Sequence, residues 1–485
     1  MGRRNINRRE LLKSVGAGGL LIGGSTIPFA GVVTAESDEQ RFVVVGNPNA
    51  ESRIENEGFE IMHSLADGEV LIVVAPENQQ DDLEEINGVQ HTVPDLTVEC
   101  NDLELEGDLA NEVADDANRD EFDEPILWEQ QWDKRLMDIP EAHGTATGDG
   151  IRVAVIDSGI EPHVDLNLNT ELSVRFKNGE AVNEGDPHDV MPGGHGTQVA
   201  GIIASSGFGT VGVAPDAELI SINLVQLNLP VGFWTIVDLL VSLEYVREIE
   251  VDVVNMSLLS LVEPRNMRAH DELFEVDLFG LRAALERLTN MLTREDIAMS
   301  ASAGNQAENL QTGGEWFFPG GMQGVLNVSA TGPNDELVYY SNYGSRWIDV
   351  GAPGGGYETW RKSFCTEDGL VLGCEDEDDD PPAPVEDCAC EPGELPPPFN
   401  LIRSTSPEEP LPGYTAVYEW FSGTSAAAPQ VAGVAALVKE ANPDLNARQI
   451  EQAIKRSAEF VQGQGDDNFG AGRVNAAKAV EEATK

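Results

Sequence analysis

The chain has 485 residues, 41% of them apolar, which is enough for a catalytic domain of about two to three hundred residues plus accessory segments. Its 85 acidic residues stand against 30 basic ones, a formal charge of −55. That balance excludes nucleic acid as a partner, because phosphate binding needs a basic footprint, and it reads as a halophile's surface on which salt screens the self-repulsion.

Residues 1–35 differ in character from the rest of the chain. Arg3, Arg4, Arg8, Arg9 and Lys13 precede a glycine-rich apolar run at 15–33, with small residues such as Ala30 and Ala35 at its end. The string NRRELLK (7–13) resembles a twin-arginine signal, which sends folded proteins across a membrane. An uncleaved anchor is the competing reading, but the glycines leave the run only mildly apolar. The expectation is a secreted protein, exported folded, with no stable membrane span once the signal is removed.

Residues 36–99 read as a small α+β module. RFVVVG (41–46) and EVLIVVA (69–75) are strand-like, 52–65 and 78–86 have helical periodicity, and VQHTVPDLTVE (89–99) offers a further strand. The acid-rich stretch 100–124 reads as a solvated linker or a loose helix.

From 125 to 485 short apolar strands alternate with helices. IRVAVIDSG (151–159), AELISINLV (217–225), VDVVNMSL (251–258), IAMSASAGN (297–305) and GVLNVSATG (324–332) are the strands, with helices at 235–247 and 273–293. The pattern predicts a three-layer α/β/α fold with a mostly parallel sheet, whose ligand lies beyond the carboxyl ends of the strands. Asp157, Ser257 and Asn305 fall there. Two insertions interrupt it. One, at about 261–294, is expected to add an amphipathic surface helix. The other, at about 353–420, carries CEDEDDDPPAPVEDCACEPGELPPP (374–398) and is expected to be a lid or exosite, or a passive loop.

Three segments carry chemistry. VAVIDSGI (153–160) ends a strand in Asp157, GGHGTQVAGIIA (193–204) places His195 before an apolar helix, and SGTSAAAPQVAGVAALV (422–438) places Ser425 at a helix mouth. A serine hydroxyl is a poor nucleophile unless a base lies within hydrogen-bond reach and an acceptor orients that base. Taken singly, the three could be a strand-end cap, an ordinary polar histidine and a helix cap. Together, in this order and with glycine-rich flanks, they point to nucleophilic catalysis.

On these segments the chain resembles the subtilisin family of serine proteases over about 131–480, and more narrowly a halolysin-like secreted member made with a propeptide. The likeness rests on DSGI with PHVDL (162–166), GHGT (194–197), GVAPDA (212–217), NMSL (255–258), SAGN (302–305), SNYG (341–344), DVGAPG (349–354), GTSAAAP (423–429) and GAGRVNAAKAV (470–480). It implies a serine endopeptidase in which Asp157 orients His195, His195 takes the proton of Ser425, and Asn305 donates to the oxyanion. It implies a substrate groove at Ser257, Leu258 and Leu259. The 36–99 module then corresponds to an inhibitory propeptide, removed by a cut within 99–125. Protein or peptide substrates, the chain's own propeptide and a monomeric state are implied by the same likeness.

The chain also departs from the family. Leu259 and Ser260 stand where two glycines are usual, which narrows the groove, and Ala426–Gln430 replace a common Met-Ala-Ser-Pro-His. Asp165 matches a position that binds calcium in many relatives, yet SSGFGTVGVAP (205–215) lacks the Asn and Asp oxygens of a calcium loop. No metal or other cofactor is expected to be required, calcium being the one candidate. Cys100 falls in the pro-region. Cys365, Cys374, Cys388 and Cys390 suggest disulfides, with three possible pairings, over a zinc site. Two other functions compete: an inactive member serving as a secreted scaffold, and a lipase or esterase, whose chemistry prefers G-x-S-x-G with the histidine last.

Overall fold

The computed structural model describes residues 39–100, 111–113, 125, 127–191, 193–228, 231–258, 260–262, 277–312, 316–364, 395, 397–407 and 416–485. Its N-terminal module consists of β1 (Glu39–Gly46), α1 (Ala50–Asn56), β2 (Glu60–Leu65), β3 (Val70–Pro76), α2 (Gln80–Glu84) and β4 (Val89–Pro94), with an antiparallel sheet in the order β2-β3-β1-β4. Strand alternation gives the sheet two apolar faces. Phe42, Val44, Leu71 and Val73 pack beneath α1 and α2 on Ile54 and Leu83, while Val43, Val45 and Ile72 point the other way.

One expected helix is corrected here. The 52–65 segment is helical only to Asn56; Gly58 takes a left-handed φ of +93°, and Glu60–Leu65 pairs with β3 from Glu60↔Val74 to Leu65↔Val70. The ladder satisfies the backbone groups of this segment as a helix would, and pairing overrides local periodicity. The single strand expected over 89–99 is likewise two, β4 and β5 (Thr97–Cys100), separated by Asp95 and Leu96.

The second body contains β6 (Arg152–Asp157), β7 (Val174–Lys177), β8 (Glu180–Glu184), α3 (His195–Ala204), β9 (Glu218–Asn223), β10 (Val231–Thr235), α4 (Ile236–Glu248), β11 (Val253–Met256), α5 (Leu278–Arg294), β12 (Ala298–Ser302), β13 (Val325–Thr331), β14 (Val350–Pro353), β15 (Ile402–Thr405), β16 (Ala416–Phe421), α6 (Thr424–Ala441), α7 (Ala447–Ser457) and α8 (Ala476–Ala483). Its main sheet runs β14-β13-β12-β11-β6-β9-β7-β8 among the described residues, parallel throughout except for the β7–β8 hairpin. Alternation along β6 feeds two cores. Val153 and Val155 join α3, α6 and α7 through Val199, Val431 and Ile450, whereas Ala154 and Ile156 join α4 and α5 through Leu240 and Leu285. This is the three-layer fold expected.

The module's second sheet face closes over α4 and α5, so that Val43, Val45, Ile72 and Val93 share one core with Val237, Leu240, Leu281 and Leu285. Each such burial contributes roughly 1.5–3 kcal/mol. Helix α5 is therefore not the surface helix expected for the 261–294 insertion; Leu281, Leu285, Leu288 and Leu292 are fully buried. Polar contacts rim the seam: Arg287 to Glu69 at 2.8 Å, His91 Nδ1 to Asp277 at 2.5 Å, and the Ala66 amide to Glu244 at 2.9 Å. Asp95 Oδ1 accepts from the Val237 amide at 3.1 Å and the Leu96 carbonyl accepts from Ile236 at 2.9 Å, which satisfies the open amino end of α4. From there β5 runs antiparallel along β10, Thr97 opposite Thr235 and Cys100 opposite Gly232. The stretch read as a linker also contributes a short strand, Asn111–Val113, paired to β16. The proposed signal (1–35), Leu259, Cys365, Cys374, Cys388 and Cys390 lie outside the described residues.

Candidate active site

Strand β6 delivers Asp157 at its carboxyl end. Its Oδ1 accepts from the Ser158 amide and from His195 Nδ1, both at 2.6 Å, and both side chains are buried. A carboxylate on Nδ1 assigns the proton to that nitrogen and leaves Nε2 as the acceptor. His195 opens α3, and Gly196 is what lets the helix start there, since a Cβ at 196 would lie 2.0 Å from the Gly159 carbonyl oxygen. The His195 ring packs edge-to-face with Phe421, the last residue of β16, at 5.6 Å between centroids.

A second carboxylate lies behind this pair. Asp189 accepts from Ser158 Oγ at 2.8 Å, from the Thr197 amide at 2.9 Å, from Thr197 Oγ1 at 2.8 Å and from the Met191 amide at 3.1 Å. Ser158 Oγ in turn accepts from the Gly196 amide at 3.0 Å. Burial pushes the Asp189 carboxyl up to about 6 against these hydrogen bonds.

Four residues beyond Phe421 comes Ser425, second residue of α6, where the unsatisfied amides of a helix start favour negative charge. The turn into α6 needs glycine: Gly423 has φ +146°, and its amide donates to the Gly354 carbonyl and the Tyr340 hydroxyl, each at 3.0 Å. Asn305 Oδ1 accepts from the Thr424 amide at 2.9 Å and from Thr424 Oγ1 at 2.8 Å, which turns Asn305 Nδ2 away from that contact. A carbon placed on Gly423 would be 3.5 Å from Asn305 Nδ2 and 3.5 Å from the Ser425 amide nitrogen. Two donors thus flank one point at the helix mouth.

Among the expected groove residues, Ser257 Oγ donates inward to the Ser425 carbonyl at 3.0 Å and accepts from Asn255 Nδ2 at 3.0 Å. Leu258 is buried, with its carbonyl accepting from Ser302 Oγ at 3.3 Å. Gln430, at the position of the family histidine, is also internal. Lys134 Nζ donates to Gln430 Oε1 at 2.8 Å and to the Ile202 carbonyl at 3.4 Å, and Gln430 Nε2 donates to Asp133 at 2.8 Å, so that α3 and α6 are tied together. Burial lowers the Lys134 pKa.

Asp165 does not fit a calcium ion. Its Oδ1 accepts from Ser206 Oγ at 2.7 Å and from the Phe208 amide at 2.9 Å. Its Oδ2 accepts from the Gly209 and Thr210 amides at 3.1 and 3.3 Å and from Tyr418 Oη at 3.0 Å. N–H and O–H groups aimed at a carboxylate repel a cation, and calcium needs six to eight oxygens.

Asp189, Tyr340, Asp133 and Lys134 escape sequence reasoning. In a chain with 85 acidic residues nothing marks one aspartate as buried. Only the position of Asp189 shortly before His195 could have drawn notice.

A model of the subtilase family matches residues 148–472. The M-protease of Shouchella clausii (strain KSM-K16) is 27% identical over 418 residues, spanning 84% of this chain and 85% of its own. Subtilisin Savinase of Lederbergia lenta is 28% identical over 353 residues, 72% of this chain and 98% of its own. Among solved structures, the epidermin leader peptide processing serine protease of Staphylococcus aureus aligns with a TM-score of 0.64 at 18% identity, covering 93% of this chain and 99% of its own. Fervidolysin of Fervidobacterium pennivorans aligns at 0.61 and 19% identity, covering 91% and 61%. At these identities the two structures show the fold alone.

Proposed function

The chain belongs to the subtilase family and is a serine endopeptidase, and we propose that it acts through Asp157, His195 and Ser425, is made as a zymogen and works outside the cell in high salt. Ser425 Oγ attacks the scissile carbonyl carbon while His195 Nε2 takes its proton, and Asp157 holds the resulting imidazolium through Nδ1–H. The carbonyl oxygen, now an oxyanion, is received by Asn305 Nδ2 and the Ser425 amide. Collapse breaks the C–N bond, His195 returns the proton to the leaving amine, and an acyl ester remains on Ser425. Water, deprotonated by His195, releases the acid and restores the hydroxyl. The observation that carries this reading is the pair of donors 3.5 Å from one point on Gly423, at the mouth of the helix bearing Ser425. In this reading Ser257 and Leu258, with Leu259, border the substrate.

The docked module supports the zymogen reading. Its sheet caps α4 and α5, and β5 lies along β10. Export rests on residues 1–35; among the described residues no helix is long and apolar enough to cross a membrane. Expressed in a host lacking other proteases, Ser425→Ala protein is expected to stay at full length while the parent shortens. A fluorophosphonate should label only the parent. Equal shortening of both proteins would refute self-processing, and an unlabelled parent would remove the catalytic assignment.

A further inference from the structure

The SNYG motif at 341–344 places its asparagine where no substrate would touch it. Asn342 has no exposed surface, and every polar atom of its side chain is aimed at the loop that carries Asn305. Nδ2 donates to the Ala303 carbonyl at 2.9 Å and to Gln306 Oε1 at 2.9 Å. Oδ1 accepts from the Gln306 amide at 3.2 Å and from the Glu308 amide at 2.8 Å. The Asn342 amide donates to the Gly304 carbonyl at 2.9 Å. One residue therefore grips the loop on both sides of Asn305, at 303, 304, 306 and 308, without touching Asn305 itself.

The loop needs such a grip. It leaves β12 through Gly304 at φ +100° and turns again at Ala307 at φ +55°, so no regular ladder or helix satisfies its backbone. Serving both N–H and C=O groups from one short side chain requires two donors and an acceptor oxygen in one fork, which asparagine offers and aspartate, serine or leucine do not. The Asn305 side chain has a separate anchor, its Oδ1 held by Thr424. Thr424 decides which way the amide faces, and Asn342 decides where the Cα stands.

We propose that Asn342 is the positioning residue of the oxyanion donor, setting the Asn305 Nδ2 where the negative oxygen forms. The proposal rests on the reading of Asn305 given above. Because the bond to the oxygen tightens in the transition state, misplacing the donor lowers turnover and spares ground-state binding.

The test is a double-mutant cycle on the processed enzyme with a chromogenic peptide, using the parent, Asn305→Ala, Asn342→Ser and the double variant. Active-site titration and melting temperature establish that each is folded. Asn305→Ala is expected to lose about 10²–10³-fold in kcat. Asn342→Ser is expected to lose on the order of ten-fold or more in kcat, with KM changed less than about two-fold. In the Asn305→Ala background the same Asn342→Ser change should cost less than about two-fold, because the donor it positions is gone. An equal loss in both backgrounds, a loss confined to KM, or unchanged kcat in Asn342→Ser overturns the proposal. Unchanged kcat in Asn305→Ala instead removes the underlying reading, and the proposal with it. If Asn342→Ser is not recovered folded, Gln306→Ala, which removes a single Asn342 contact, takes its place in the cycle. A loss of a few-fold in kcat that vanishes beside Asn305→Ala supports the proposal, and an additive loss overturns it.

Discussion

Behind the Asp157–His195 pair, Asp189 accepts four hydrogen bonds and still has its carboxyl pushed up to about 6 by burial, against an ordinary value of 3.8. Between those values the folded chain holds a proton that the unfolded chain has released. The group therefore stabilises the fold fully below about pH 3.8, and that contribution is lost as pH rises through about 6. A shift of about two units corresponds to ~3 kcal/mol. In a Ser425→Ala background, which prevents self-digestion, denaturant unfolding should show stability declining across this window. Asp189→Asn, neutral at every pH, should flatten that part of the curve. Parallel curves for the two proteins would show that the slope arises elsewhere.

Helices α3 and α6 both begin at residues assigned to the chemistry, and each start is built by a glycine whose backbone no larger residue could reproduce without strain or clash. Their glycine flanks made these starts legible in the sequence. The loop 206–210 was legible only in part. Its lack of Asn and Asp oxygens argued against calcium, but did not reveal that its donors and Tyr418 would converge on Asp165. Those five donors lead us to expect that chelator leaves the melting temperature and peptide hydrolysis unchanged. Asp165→Ala should lower stability by at least ~3 kcal/mol, because it strands several buried donors. A melting temperature that drops with EDTA and returns with calcium would contradict this. Segment 60–65 has helical periodicity, but Gly58 ends the helix before it and the left-handed turn at 66–68 folds it into a hairpin with β3, whose pairing overrides that periodicity.

For the molecule as a whole, two apolar cores lie on opposite faces of one parallel sheet, and the N-terminal module extends the second of them. Around that frame the net charge of −55 must repel itself wherever salt does not screen it. Thermal unfolding of the Ser425→Ala protein is therefore expected at markedly lower temperature in millimolar than in molar sodium chloride. The activity of the processed parent should fall in step. A melting temperature independent of salt would remove the halophilic reading.

The sequence by itself determined the fold class and the five strands at the centre of the parallel sheet, β6, β9, β11, β12 and β13, and it marked Asp157, His195, Asn305 and Ser425 as the candidates for the chemistry. Those features are written locally, in strand-length apolar runs and in glycines that only certain turns require. The tertiary structure alone decided which face of the module meets α4 and α5, that the module covers α5, that Asp189 and Asn342 brace residues of the site, and that five donors converge on Asp165. Burial and hydrogen-bond partnership belong to pairs of residues distant in the chain, and no local pattern of residue types encodes them.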